Sequence, residues 1–187
     1  MILKQYSAHN NHYNSYDLNN FKNSILFPGL KMTNKKTQEF FMNEALKQAR
    51  LSFKKNEVPV GAVLVYQNKI IASAHNLSIT KNDPCAHAEI IAIQDAGKYI
   101  KNYRLVDCSL YVTLEPCIMC LGAIFHSRIT NLYFGAYDLK TGACESAINL
   151  QKNKDLNHHC TVHGGILEKQ SKNILQDFFK NIRQKKP

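Results

Sequence analysis

The sequence predicts an α/β domain in three layers (α-β-α), with helices covering both faces of a five-stranded mixed sheet. Three observations lead there. At 187 residues and 44% apolar content, the chain suits one ordinary domain with a real core and is short for two. Helical and strand periods alternate along it in the order α-β-β-α-β-α-β-β-α. The first two strands are joined by a tight turn and the later ones by helical or longer stretches, with no internal repeat.

The elements follow in chain order. Residues 1–36 are rich in Asn, Tyr and Lys, hold no period for two turns, and are expected to be a disordered N-terminal extension. They lack Arg, unlike a transit peptide, and Met32 offers a second candidate start for translation. The domain proper is expected over residues 37–183. Thr37 can cap a helix to about Lys54, with Phe40, Phe41, Ala45, Leu46, Ala49 and Phe53 inward and Glu44, Lys47 and Arg50 toward water. Pro59 opens the strand VGAVLVY, Gln67-Asn68 turns, and KIIASAHN returns as the second arm of a hairpin with Asn76 at its far end. Ser78 to Cys85 reads as a loop around Asp83-Pro84. A helix from near His87 carries Ile90, Ile91 and Ile93 toward Tyr99.

SLYVTLE (109–115) is apolar enough for a central strand; Pro116 stops it and pre-sets a helix from Cys117 to about His126. A strand from Leu132 to Gly135 follows. The stretch 136–159 reads as loop with one helical turn near Ala147, and Thr161 to Leu167 as a fifth strand. Ser171 to Arg183 is a basic amphipathic helix with Ile174, Leu175, Phe178, Phe179 and Ile182 inward, and 184–187 form a basic tail.

The formal charge of +10 sits at the ends: net +4 over residues 1–36, +1 over 37–149 and +5 over 150–187. Basic ends fit a polyanion partner and equally fit a Lys-rich surface that is merely solvated. No apolar run approaches the roughly 20 residues of a membrane span. Ile25-Leu26-Phe27 is cut by Pro28-Gly29, too short for the apolar core of a signal peptide. A soluble, cytoplasmic protein with no membrane partner is expected. Six cysteines in a chain this long imply free thiols rather than a disulfide framework, and Cys85, Cys108, Cys144 and Cys160 read as small apolar residues.

The chemistry concentrates in DPCAHAE (83–89) and EPCIMC (115–120). Cys117 and Cys120 are i, i+3 neighbours in the first turn of a helix, where free N–H groups and the positive dipole end favour thiolate. His87 opens another helix, with Glu89 in its first turn. One imidazole and two thiolates can hold a zinc ion and leave its fourth position open, the mark of a catalytic rather than structural site. Such a zinc lowers the pKa of its water from about 15.7 towards roughly 7. Glu89 is placed to carry protons. A lone CxxC also suits a redox pair or half a zinc ribbon, and a lone His-x-Glu is an ordinary helix start. Strand-then-helix context on both halves joins them into one site. Cys85, two before His87, is the one residue that could close it as a fourth ligand.

His-Ala-Glu followed by Pro-Cys-x-x-Cys resembles the signature of the zinc-dependent cytidine deaminase-like superfamily. EVPVGAVLV (57–65), Asn76, DPCAHAE (83–89), NYRLVDCSLYVTLEPCIMC (102–120), GAIFHSRI (122–129) and FGAYDLKTGA (134–143) are similar to the bacterial tRNA-specific adenosine deaminases within it. The resemblance covers roughly residues 37–183. It departs at Cys85, where the family more often has a small hydroxyl residue. It implies a cytidine deaminase-like fold, a homodimer with one Zn2+ per subunit, and conversion of the wobble adenosine of a tRNA anticodon stem-loop to inosine. It further implies that His87, Cys117 and Cys120 hold the zinc, that Glu89 is the proton shuttle, and that Asn76 contacts the target nucleotide. Asp138 and Lys140 would lie near flanking nucleotides, and Phe178 and Phe179 would close over the RNA. The plainer readings stand beside these: Asn76 as a turn cap, Phe178 and Phe179 as core.

Two other functions fit parts of the pattern. A free-base or nucleoside deaminase of guanine or cytosine type would share the zinc site but needs no basic C-terminal helix. A catalytically silent RNA-binding subunit would share the charge but needs no intact Glu89.

Overall fold

Met42, Ala45 and Ala49 on α1 (Asn34–Lys54) are fully buried, as the i, i+3, i+4 stripe of a helix laid on a sheet should be. The structure, a computed structural model, describes residues 34–185. The helix starts three residues before the expected Thr37; the rest of the extension and the end of the basic tail lie outside the described residues. The remaining elements are β1 (Gly61–Tyr66), β2 (Lys69–His75), the single turn α2 (Ser78–Lys81), α3 (Ala88–Ile100), β3 (Cys108–Leu114), α4 (Ile118–His126), β4 (Asn131–Ala136), a 3-10 turn (Leu150–Lys152), β5 (Thr161–His163) and α5 (Glu168–Lys185). Among the described residues no helix is long and apolar enough to cross a membrane.

The sheet runs β2-β1-β3-β4-β5. β1 pairs antiparallel with β2 and β3, while β3-β4 and β4-β5 are parallel. Gln67 and Asn68 both take positive φ, 49° and 59°, the geometry that lets a two-residue turn match the twist of its strands. Strand alternation sorts the core into two sides. Ala62, Leu64, Leu110 and Val112 pack with α3 and α4, whereas Val63, Val65 and Tyr111 pack with α1. With α5 beside α1, the three predicted layers are present. On the α1 side, Tyr111, Tyr133 and His163 stack at 4.4 and 4.8 Å across three adjacent strands.

Close approach is written into two glycines. A Cβ at Gly61 would run into the backbone of Ala45 and Ala49 on α1, and one at Gly135 into Ser171 on α5. The core face of α3 is Ala88, Ala92 and Ala96, with Ile90, Ile91 and Ile93 half-buried, because small residues let α3 lie low on the sheet. Several expectations are corrected. β5 ends at His163, where Gly164 and Gly165 (φ 81°) turn the chain away. The turn near Ala147 is not helical, since the preceding amides are drawn to a carboxylate described below. Phe179 and Ile182 of α5 face solvent; its inward residues are Ser171, Ile174, Leu175 and Phe178.

Candidate active site

β2 and β3 both run antiparallel to β1, so their C-terminal ends share one edge of the sheet. The chain leaving β2 reaches α3 through α2, and the chain leaving β3 enters α4 directly. Two helix N-termini therefore open at the same edge. His87 and Cys117 are their N-cap residues, both with extended backbone (ψ 153° and 173°), and neither side chain caps its own helix. The side chains are free to turn toward each other. His87 Nδ1 lies 3.8 Å from Cys117 Sγ and 3.4 Å from Cys120 Sγ. The donor atoms of His87, Cys117 and Cys120 all fall within 4.8 Å of one another, and no other such group occurs among the described residues. Cys85 is exposed and outside the group; its amide donates to Asp83 instead.

The electrostatics match a ligand set. The Cys120 thiol, and after it the His87 ring, holds the Cys117 thiol down at about 4. Cys117 in turn raises His87, and raises Cys120 most of all before burial adds to it. One proton less and a shared negative charge suit a cation that accepts two sulfurs and one nitrogen, which is zinc's borderline-soft preference. Glu89 is 4% exposed and its Oε2 has no hydrogen-bond partner among the described residues, while burial pushes its carboxyl above the usual range. An orphaned carboxylate oxygen beside a three-donor cluster fits a group that accepts and returns protons.

The other expected residues fall around this centre unevenly. Asn76, at the end of β2, is buried and its Oδ1 accepts the Ala88 amide at 2.8 Å, tying β2 to the start of α3. Lys140 and Cys117 line the same cavity of about 390 Å³, together with Ile118, Met119, Thr141 and Ile148. Asp138 is turned into its own loop, accepting the Lys140 and Thr141 amides at 2.9 and 3.2 Å and the Thr141 hydroxyl at 2.6 Å. Phe178 is 4% exposed with its ring on Phe53 at 5.7 Å, whereas Phe179 is 43% exposed.

A family model, the cytidine and deoxycytidylate deaminase zinc-binding region, matches residues 35–136. The chain is 45% identical over 148 residues to the tRNA-specific adenosine deaminase of Bacillus subtilis (strain 168), covering 79% of this chain and 92% of that one. It is 49% identical over 148 residues to the tRNA-specific adenosine deaminase of Buchnera aphidicola subsp. Schizaphis graminum, covering 77% and 95%. This chain belongs to the tRNA-specific adenosine deaminase family. A solved structure from work on A-to-I editing by tRNA:A34 deaminases superposes on this deaminase with a TM-score of 0.71 at 43% identity, covering 73% of this chain and 99% of that one. A guanine deaminase from Nitrosomonas europaea shares the fold, with a TM-score of 0.63 at 21% identity.

Two buried carboxylates of this deaminase are not announced by its sequence. Glu57 accepts the Ile79 and Thr80 amides at 3.1 and 2.6 Å and so pins α2. Glu115 gathers the loop that carries Asp138 and Lys140. Each lies one or two residues before a proline, a position that reads as a strand end, and nothing in the spacing distinguishes a buried acceptor from a solvated charge.

Proposed function

We propose that this protein hydrolyses the 6-amino group of the wobble adenosine, position 34, in the anticodon stem-loop of a tRNA, giving inosine and ammonia. The observation that carries it is the His87–Cys117–Cys120 cluster beside the unpartnered Oε2 of buried Glu89. His87, Cys117 and Cys120 would hold one zinc per subunit. When bound, the zinc would supply the Lewis acidity that makes water nucleophilic near neutral pH. Glu89 takes a proton from the water that adds to C6 and passes it to the ring nitrogen, then takes the proton of the resulting C6 hydroxyl and gives it to the departing amine, so that ammonia leaves as the C6 carbonyl forms. An unstacked loop base lowers the energy of presenting that ring.

Asn76 would use its NH2 end on the target nucleotide, since its oxygen already holds α3. Lys140 reaches a flanking phosphate from the cavity wall. Asp138 shapes the loop from which that contact is made, and any contact of its own with a flanking nucleotide is made from within this turn. Of the two phenylalanines, Phe179 is the one with a ring face available to RNA, while Phe178 supports it from the core. The domain so defined spans residues 37–183 with the basic C-terminal helix included. Ile118, Leu139 and Ile148, at 57, 82 and 41% exposure, surround the site with apolar surface that a second copy would cover, which supports a homodimer. A tRNA substrate places the enzyme in the cytoplasm.

Ammonia release from an anticodon stem-loop carrying adenosine 34, compared with guanine, cytosine and free adenosine, tests the reading. Turnover of the RNA alone is expected. Preferential turnover of guanine or cytosine would overturn it in favour of a small-molecule deaminase.

A further inference from the structure

Glu115 is 2% exposed, yet it is in none of the ion pairs found among the described residues. Its Oε1 accepts the backbone amides of Cys144, Glu145 and Ser146 at 3.0, 2.7 and 3.0 Å. Its Oε2 accepts the Asp138 amide at 3.1 Å and the Ser146 hydroxyl. Five donors share the roughly four lone-pair sites of one carboxylate, three of them on Oε1, and every one comes from the loop between β4 and the 3-10 turn. Converging amides of this kind form an anion nest, here closed by a side chain of the protein itself.

The latch is made at the residue that precedes Pro116 and Cys117. The Ala143 amide donates to the Pro116 carbonyl at 2.9 Å, and Cys117 and Gly142 form a β-bridge. A Cβ at Gly142 would run into the Glu115 carboxylate and the Asp138 carbonyl, so the loop closes this tightly only with glycine there. Asp138 then repeats the device on a smaller scale, holding the Lys140 and Thr141 amides. The chain of contacts runs from Glu115, through Asp138, to Lys140 on the cavity wall.

We propose that Glu115 is a positioning residue that fixes the 138–146 loop, and with it Lys140, in its RNA-binding shape against the Cys117 end of the metal site. The role rests on the deaminase reading for the identity of the RNA and on the loop geometry for everything else. A loop held in its bound shape before RNA arrives spares the complex the entropy of ordering it, so the effect belongs to substrate affinity.

Glu115→Gln tests this with little change of shape, because it turns one acceptor into an NH2 group facing the Asp138 or Ser146 donors. Hydrogen exchange of the amides at 138–146 is expected to quicken by at least about 10-fold, the factor for about 1.4 kcal/mol, while α3 and α4 keep their protection. KM for the anticodon stem-loop is expected to rise by a similar factor, about 10-fold, and kcat to fall by less. Zinc content should stay at the wild-type value. Unchanged exchange or unchanged KM would overturn the proposal, as would loss of zinc, which would make Glu115 a support of the ligands instead. Should Glu115→Gln not fold, Ser146→Ala removes a single donor and is expected to move exchange and KM in the same direction by less; no movement in either would overturn it. If the wild type released no ammonia from the RNA, the deaminase reading would fail, while loop exchange would still decide the latch.

Discussion

Cys85 separates two descriptions of the metal site at the level of single side chains. It stands two residues before His87 with a thiol that could serve as a ligand, but it is exposed and lies outside the cluster. Cys85→Ser is therefore expected to leave zinc content and deamination at wild-type levels, measured by metal analysis and ammonia release; loss of zinc would make it a fourth ligand and close the site. The grouping of His87, Cys117 and Cys120 was legible in the sequence because spacing and helix starts together bring the three side chains to one place. A thiol pair at i, i+3 must share a helix face, and a strand before each helix brings both starts to one edge. Glu57, Glu115 and the inward turn of Asp138 were not legible. What they bind is backbone N–H, which every residue offers alike, so no residue type at a fixed spacing announces the partner.

Elements carry their own predictions. Phe178 and Phe179 adjoin in sequence but differ in burial, 4% against 43%, so their truncations should separate. Phe178→Ala is expected to cost about 3–5 kcal/mol in denaturant unfolding, by opening the contact between α1 and α5. Phe179→Ala should cost under about 1 kcal/mol, with its loss appearing in RNA affinity. The amphipathic period found α5 but overestimated how wide its inward face is, since α5 meets β4 and α1 through the stripe of Ser171, Ile174, Leu175 and Phe178 and leaves Phe179 and Ile182 to solvent.

The α2 turn is expected to fail first in acid. Glu57, despite burial acting the other way, is held below its usual 4.5 by the Thr80 and Ile79 amides. Burial first, then Lys55, holds neighbouring His75 below its usual 6.5, with Lys81 acting the same way and Glu57 opposing. Both native forms are the deprotonated ones. The His75 contribution is complete above 6.5 and is lost as pH falls from there through its folded value; that of Glu57 is complete above 4.5 and is lost below it. Thermal melts between about pH 8 and pH 3 should fall in two stages, and Glu57→Gln should shrink the lower one, to which Glu115 and Asp138, also held below their usual values, contribute the rest. A Tm that did not move over this range would contradict the assignment.

At the scale of the whole molecule, a nearly neutral catalytic middle is joined to basic ends, and the metal cluster opens at the sheet edge where β2 and β3 finish. The layer order and the mixed sheet were legible because hairpin and helix periods alternate from Thr37 to Gly135 and resume after the 136–159 loop. The low seat of α3 was not, because alanines at i, i+4 carry too little hydrophobic signal beside three isoleucines. All of this converges on Glu89, whose buried Oε2 has no hydrogen-bond partner among the described residues. The most direct measurement is inosine formation on an adenosine-34 stem-loop by zinc-loaded wild type and zinc-loaded Glu89→Gln. The account predicts equal zinc content and a rate lower by about 10²–10⁴-fold. A zinc-loaded variant that deaminates at near the wild-type rate would contradict it.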